Sequence, residues 1–95
     1  METIAIRSLK TGHVGLNVTD LDRSVSFYQR VFGFEVQAEG KEDGRRWAFL
    51  GRDGALQVTL WQQSGAPFST STAGLHHLSF QVESIDEVRA AERVL

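Results

Sequence analysis

The sequence predicts an α+β protein of repeated β-α-β-β-β modules, which form an open, cleft-lined mixed sheet with helices on its outer face. Three observations support this fold class. An alternating strand pattern near the N-terminus leads directly into an amphipathic helix pattern. Three more strand patterns follow, separated by tight-turn dipeptides. A second strand-and-helix pattern then begins and stops after its helix, so the second module is incomplete in this chain.

The first module should open with a strand at Thr11–Val18, where apolar residues alternate with small or polar ones. A helix is expected over Leu21–Phe32, because Asp20 is a good N-cap and Gly33 a good C-terminal stop. The apolar residues of this segment recur at helical spacing and so define one face: Leu21, Val25, Tyr28 and Phe32.

The next segment predicts a three-stranded antiparallel meander. Two Asp-Gly pairs, at 43–44 and 53–54, are typical of two-residue hairpin turns. The strands that they separate are expected at Phe34–Glu42, Trp47–Gly51 and Leu56–Gln62.

The remaining residues complete one expected domain, 1–95. Module one covers about 11–62, a linker rich in Ser, Thr, Gly and Ala covers 63–74, and module two begins at 75. Within module two we expect a strand at Leu75–Val82 and a helix at Ser84–Leu95, because Ser84 and Glu87 have capping-box spacing.

The evidence for a repeat is the match of His13–Asp22 (HVGLNVTDLD) with His77–Asp86 (HLSFQVESID). The offset is constant, since 77 − 13 = 64 and 86 − 22 = 64. A histidine heads each copy, the apolar positions agree, and a cap candidate follows each strand. Such self-similarity indicates a duplicated unit.

Strand geometry predicts which residues share a face. Each histidine lies on the more polar face of its strand, together with Asn17 in the first copy and Gln81 in the second. In the meander, Gln57 and Trp61 belong to the comparable face, whereas Trp47 is expected to lie off it and to pack. The predicted polar face therefore carries His13, Asn17, Gln57, Trp61, His77 and Gln81.

Two neutral imidazoles that converge form a natural site for a divalent transition metal such as Fe, Zn, Mn or Ni. We therefore predict His13 and His77 as metal ligands. Asn17, Gln57, Trp61 and Gln81 are the candidate substrate-binding residues, and no catalytic residue is assigned. His76 is expected on the aliphatic side, as a structural neighbour of His77.

Composition narrows the possible partners. The net charge of −2 comes from interspersed charges, so nucleic acid is not an expected partner. No apolar run suggests a signal peptide or a membrane segment, and a cytoplasmic protein is expected. The absence of cysteine excludes a thiolate metal site within these residues.

Three segments carry a resemblance to a known family. His13–Val36 (HVGLNVTDLDRSVSFYQRVFGFEV) resembles the opening of a vicinal oxygen chelate module, with its ligand histidine, "DL" helix entry and "FY…GF". Leu56–Trp61 (LQVTLW) is similar to the fourth strand, and Gly74–Val82 (GLHHLSFQV) to the opening strand of a second module. The superfamily includes glyoxalases, extradiol dioxygenases, and fosfomycin- and bleomycin-resistance proteins.

The resemblance implies a function and a set of ligands. The family's first and second histidines fall on His13 and His77, and its mid-chain Glu falls on Gln57, a weaker, neutral ligand. It implies a small metal-dependent lyase, thiol transferase or dioxygenase, in which the metal is a Lewis acid toward a small oxygen-rich substrate. A homodimer is expected, because paired modules of the family often meet across one.

Two other readings remain open. One is a metal-free protein that binds or sequesters a small molecule, as bleomycin-resistance relatives do; Gln57 at the Glu position favours it. The other is a fragment with no competent site, able only to associate through an unpaired sheet edge.

Overall fold

The computed structural model of the chain describes residues 4–95, and residues 1–3 of the expected domain lie outside the described part. The fold is α+β, as predicted. Its elements in chain order are β1 (Val14–Val18), α1 (Leu21–Phe32), β2 (Glu35–Glu42), β3 (Arg45–Arg52), β4 (Ala55–Gln62) and α2 (Ile85–Val94). Neither helix of residues 4–95 is both long and apolar enough to cross a bilayer.

Helix α1 has the predicted bounds, and its two ends show why. The Asp20 side chain accepts a hydrogen bond from the Arg23 backbone N–H, which is one of the unpaired donors of the first turn. Gly33 has φ 65°, and its N–H donates to the Gln29 carbonyl. A left-handed residue that closes the last turn is the usual role of glycine at this position.

The sheet is mixed and four-stranded, in the order β1-β4-β3-β2. Strands β2, β3 and β4 form the predicted antiparallel meander, and β1 lies parallel to β4. Both hairpins turn on the expected Asp-Gly pairs, in which the Asp and the Gly each have positive φ: Asp43, Gly44, Asp53 and Gly54. Positive φ at both central positions suits the right-handed twist of the paired strands.

Two bulges interrupt the meander at the same level. The β3–β4 pairing passes from Gly51–Leu56 to Leu50–Val58, which leaves Gln57 as an extra residue on β4. On the other side of β3, the register shifts between Val36 and Ala38. Each bulge moves the following side chains by one position relative to the facing strand.

The core occupies one face of the sheet, against α1. Ala48 and Leu50 of β3 and Val58 and Leu60 of β4 are fully buried there. Leu21, the first residue of α1, closes this core, and Phe34 lies beside it. The alternation of buried apolar residues along β3 and β4 leaves the opposite face of the sheet without a role in the core.

The second copy of the repeat folds only in part. The strand predicted at Leu75–Val82 is wrong: the segment has no backbone ladder with any strand of the described chain, and a strand exists only when it is paired. Phe80 nevertheless packs against Phe32 and Phe34, with ring centroids 5.0 and 5.7 Å apart. Phe80 therefore faces α1, whereas Val82, which the period-two pattern places on the same side, is exposed.

Helix α2 forms close to its predicted bounds. The Ser84 hydroxyl accepts from the Glu87 N–H at 3.4 Å, and the Glu87 carboxylate accepts from the Glu83 N–H at 3.1 Å. This is the predicted cap with its return hydrogen bond displaced by one residue. Helix α2 contacts α1, but Ile85 and Val88 of its apolar side remain exposed in residues 4–95.

Two side-chain contacts hold the start of α1 against the sheet. The Gln62 side-chain carbonyl accepts a 2.7 Å hydrogen bond from the Leu21 N–H. The Arg46 guanidinium contacts both carboxylate oxygens of Asp22, at 2.8 and 3.3 Å. The hydrogen bond and positive charge of Arg46 hold the pKa of Asp22 below its usual range. Because the pair is exposed, its contribution to stability is small.

We predict a pH-dependent cost for Asp22→Asn. The folded pKa of Asp22 is lowered, so its contribution is present above the unfolded pKa and is lost as the pH falls through the folded value. The free energy of unfolding of the variant should be lower than that of the wild type above about pH 5, and the difference should narrow as the pH falls below about 4 and vanish only below the lowered folded pKa. Denaturant titration across pH measures it.

Asp53→Asn is the matched control, because Asp53 lies in a turn and asparagine tolerates its left-handed backbone. An equal, pH-independent effect of both substitutions would show that the Asp22–Arg46 contact does not stabilise the fold.

Candidate functional site

The face of the sheet opposite α1 is built from aligned residues of three strands. Asn17 of β1 pairs with Trp61 of β4, and Trp61 pairs with Trp47 of β3. One step along, Thr59 pairs with Phe49. Paired residues of neighbouring strands point to the same side, so these side chains share what we call the open face.

Trp47, Phe49 and Trp61 form a ring cluster on the open face. Their ring centroids are 4.7 Å (Trp47–Phe49), 5.9 Å (Phe49–Trp61) and 6.1 Å (Trp47–Trp61) apart, within the range of favourable aromatic pairs. The Trp61 Nε1–H donates to the buried Thr59 Oγ1 at 3.1 Å. All three rings are half-buried, so the cluster is an ordered apolar surface in the middle of this face.

Trp47 lies on the open face, whereas the sequence pattern predicted it off this face. Without a bulge, the Asp53-Gly54 turn would place Trp47 opposite Leu60, on the core side. The extra residue Gln57 shifts the register by one and brings Trp47 opposite Trp61. The only sequence signal for this is the pair of aromatic residues itself, since a bulge leaves no composition of its own.

His13 and Gln57 mark one end of the open face. Each immediately precedes the Val14–Val58 pair, at the point where β1 begins beside β4. His13 is exposed and lies one residue before the observed strand, although the prediction included it in the strand. Gln57 is half-buried at the bulge. The structure therefore brings these two predicted residues to the same end of the open face.

Asn17 lies near the opposite end of the open face, beside Trp61. Its side-chain carbonyl accepts a 2.8 Å hydrogen bond from Gln63 Nε2, which leaves the Asn17 amide N–H groups for another partner. Arg45, Gln63 and Asn17 line a shallow polar pocket there, together with the Asp43-Gly44 turn. This end of the open face is thus polar.

His77 and Gln81 lie outside the sheet, in the unpaired segment before α2. Both are exposed. The Nδ1 atoms of His77 and His76 are 2.9 Å apart, so one ring donates to the other and the His77 Nε2 is directed away from this contact. No group of three His, Cys, Asp or Glu residues within 4–95 is arranged to hold a metal ion.

A second concavity lies on the other side of β1. A groove of about 690 Å³ separates β1 and the start of α1 from the loop at 64–75. Asn17 is the one predicted site residue that lines it. This groove therefore does not join the histidines to the ring cluster.

Comparison with known proteins places the chain in a family. Residues 10–95 match the Glyoxalase/Bleomycin resistance protein/Dioxygenase superfamily. The chain belongs to this superfamily. The match spans both His13 and His77, and the resemblance drawn from the sequence is confirmed.

Two curated proteins are similar to this chain. A probable trivalent organoarsenical cleaving enzyme of Bacillus subtilis (strain 168) is 34% identical over 80 residues, which are 84% of this chain and 50% of the relative. A trivalent organoarsenical cleaving enzyme of Bacillus sp. (strain MD1) is 37% identical over 82 residues, 86% of this chain and 47% of the relative. The chain thus spans about half the length of these relatives.

Solved structures confirm the fold. A glyoxylase/bleomycin resistance protein/dioxygenase domain from Frankia sp. EAN1pec is 30% identical, with a TM-score of 0.80, and the match covers 93% of this chain and 67% of that one. The fosfomycin resistance protein FosX of Listeria monocytogenes is 20% identical, with a TM-score of 0.70 over 93% and 68% of the two chains. At that identity the likeness concerns the fold alone.

The Trp61–Thr59 hydrogen bond generates a prediction for the open face. Thr59→Val keeps the side-chain shape but removes the acceptor, so the free energy of unfolding should fall by about 1 kcal/mol. Thr19→Val, at an exposed position, is the control and should change stability by less than about 0.5 kcal/mol. Denaturant unfolding monitored by tryptophan fluorescence measures the free energy of unfolding of both variants. An unchanged value for Thr59→Val would show that the hydrogen bond does not stabilise the position of the indole.

Proposed function

We propose that this chain contributes two histidine ligands, His13 and His77, to a divalent metal site in a small-molecule enzyme of the superfamily. The observation that carries the proposal is that these histidines head two equivalent segments 64 residues apart (77 − 13), both inside the region that matches the family. A neutral imidazole is a common ligand for divalent transition metals.

The donor chemistry of both residues fits this role. Both side chains are exposed, and within the described chain no hydrogen bond engages the His13 ring. When the His77 Nδ1–H is the donor in the contact with His76, the Nε2 of His77 carries the lone pair that a metal needs. Two imidazoles supply part of a ligand set, and the open positions are those that a substrate takes in a catalytic site. The metal would supply Lewis-acid polarisation of a bound ligand atom.

The open face supplies the binding surface of the proposed site. His13 and Gln57 lie at one end, and Asn17 with its polar neighbours lies toward the other end, in the same row of the sheet as Trp61 and Trp47 of the ring cluster. An apolar wall with a few polar groups is typical of small-molecule sites. In this proposal Asn17, Gln57 and Trp61 of the open face bind and orient the substrate, together with Gln81 of the segment before α2.

The first substrate class to test is a trivalent organoarsenical. The two Bacillus relatives carry that activity in their names and share about a third of their residues with this chain over the matched region. Trivalent arsenic is a soft centre that favours thiolate ligands, and the 95 residues contain no cysteine. We therefore propose that these residues bind the metal and the organic part of the substrate, and that they do not bind the arsenic atom.

We predict that His13→Ala and His77→Ala each weaken metal binding far more than His76→Ala does. Loss of a ligand should lower the affinity for Mn(II), Fe(II), Ni(II) or Zn(II) by more than the roughly 10- to 100-fold that loss of an outer partner costs. Calorimetric titration of chelator-treated protein measures the affinity, and circular dichroism verifies folding. Arsenic speciation after incubation with a trivalent methylarsenical then tests cleavage.

The comparison of His13 with His76 separates two kinds of metal site. If His76→Ala and His77→Ala abolish binding while His13→Ala has no effect, the adjacent pair chelates the metal alone and the proposal is wrong. Binding of small ligands without any metal affinity would instead favour a sequestration protein, which the neutral Gln57 supports.

A further inference from the structure

We propose that the ring cluster (Trp47, Phe49 and Trp61) is a stacking platform for a planar aromatic ring, so that the chain's small-molecule ligand is an aromatic compound with polar substituents. The inference deepens the proposed function by naming a substrate class for the open face. It rests on the proposed function for the reaction that such a ligand would undergo. It does not depend on a metal for binding.

These three rings lie outside the buried core of the fold. The core lies on the opposite face, where Ala48, Leu50, Val58 and Leu60 are fully buried against α1. Because of the bulge at Gln57, Trp47 lies on the open face beside Trp61, and not on the core face. Three large rings thus stand together on a face where no helix of residues 4–95 packs against them.

The neighbouring strands leave the cluster uncovered. In the β2–β3 register, Gly40 lies beside Trp47 and Ala38 beside Phe49, and on β1 Gly15 lies beside Thr59. The Trp47 indole occupies the space above Gly40, where a Cβ would fall 2.4 Å from Cζ2. Small residues at these positions keep the ring surfaces free for a ligand, and a side chain at Gly40 would displace the indole.

The cluster is set up to recognise a ring by its face rather than by a hydrogen bond. The only donor of Trp61 is already engaged by Thr59 Oγ1, which also fixes the indole orientation. Polar groups lie instead at the two ends: His13 and Gln57 at one, Asn17 near the other. His13 and Asn17 are four residues apart, about 13 Å along an extended strand. Gly15 lies between them on β1, level with Phe49, so a planar ring on this part of the cluster has polar groups on both sides.

A small ligand fits the cluster better than a second copy of the chain. An aromatic side chain buries at most about 150–250 Å². Three rings that are already half-buried leave less than about 400 Å², which suits one face of a small ring and by itself is about half of the roughly 800 Å² that a stable interface takes from each partner. The Gly and Ala residues beside the cluster add little apolar area to it.

The test compares benzyl alcohol with cyclohexylmethanol, which share a skeleton and a hydroxyl and differ in aromaticity. Each is titrated into chelator-treated protein while the indole N–H signals of both tryptophans are followed by NMR. We expect the aromatic alcohol to bind about 2- to 10-fold more tightly and to shift the signals of Trp47 and Trp61. Trp61→Leu should remove the preference, and Phe68→Leu, at an exposed aromatic residue, should retain it.

Phe49→Leu is a second, milder variant in case Trp61→Leu does not fold, and it should also reduce the preference. Equal affinity for the two alcohols, or a preference that survives in both Trp61→Leu and Phe49→Leu, would overturn the platform. So would a wild-type dimer, measured by sedimentation, that Trp61→Leu dissociates without any change in ligand preference.

A titration of the wild-type protein with metal alone keeps the two proposals distinguishable. The chelator-treated protein should show the aromatic preference whether or not it binds added metal. Loss of metal binding in every preparation, with the preference intact, would remove the proposed metal function and leave the platform standing.

Discussion

The pairing of β3 with β4 determines what each face of the sheet presents. One extra residue, Gln57, shifts the pairing of β3 with β4 by one position between the hairpin turn and the rest of the sheet. Beyond it, Leu50 meets Val58 and closes the core, while Trp47 meets Trp61 on the open face. A one-residue slip would exchange these sets, placing aromatic rings against α1 and aliphatic side chains in solvent. Core, cluster and proposed ligand surface therefore depend on one register.

Local signals in the sequence were sufficient for most of the elements. Helix α1 was predicted at its observed bounds because Asp20 and Gly33 act within one turn of it. The two Asp-Gly turns were predictable because positive φ at both central positions restricts the choice of residue. The strand at 75–82 was not, because alternation indicates only a capacity to pair, and pairing depends on a neighbouring strand that local pattern does not supply.

The candidate site was predictable in part, for the same reason. Periodicity placed Asn17 and Trp61 on one face, because β1 and β4 pair around these two residues without a register shift. It missed Trp47 and Phe49, because a bulge changes the face of distant residues without a local sequence mark. The role of His13 and His77 as a pair stays a prediction: their equivalence lies in the repeat, and within residues 4–95 His77 belongs to a segment outside the sheet.

The register beyond Gln57 is the central claim, and NMR contact measurement in solution tests it most directly. Nuclear Overhauser contacts between the indole protons of Trp47 and Trp61, together with contacts between the Leu50 and Val58 methyl groups, are the predicted result. Contacts of the Trp47 indole with the Leu60 methyl groups, and none with Trp61, would contradict it, because they would indicate a hairpin without the bulge and a sheet whose two faces are exchanged at β3.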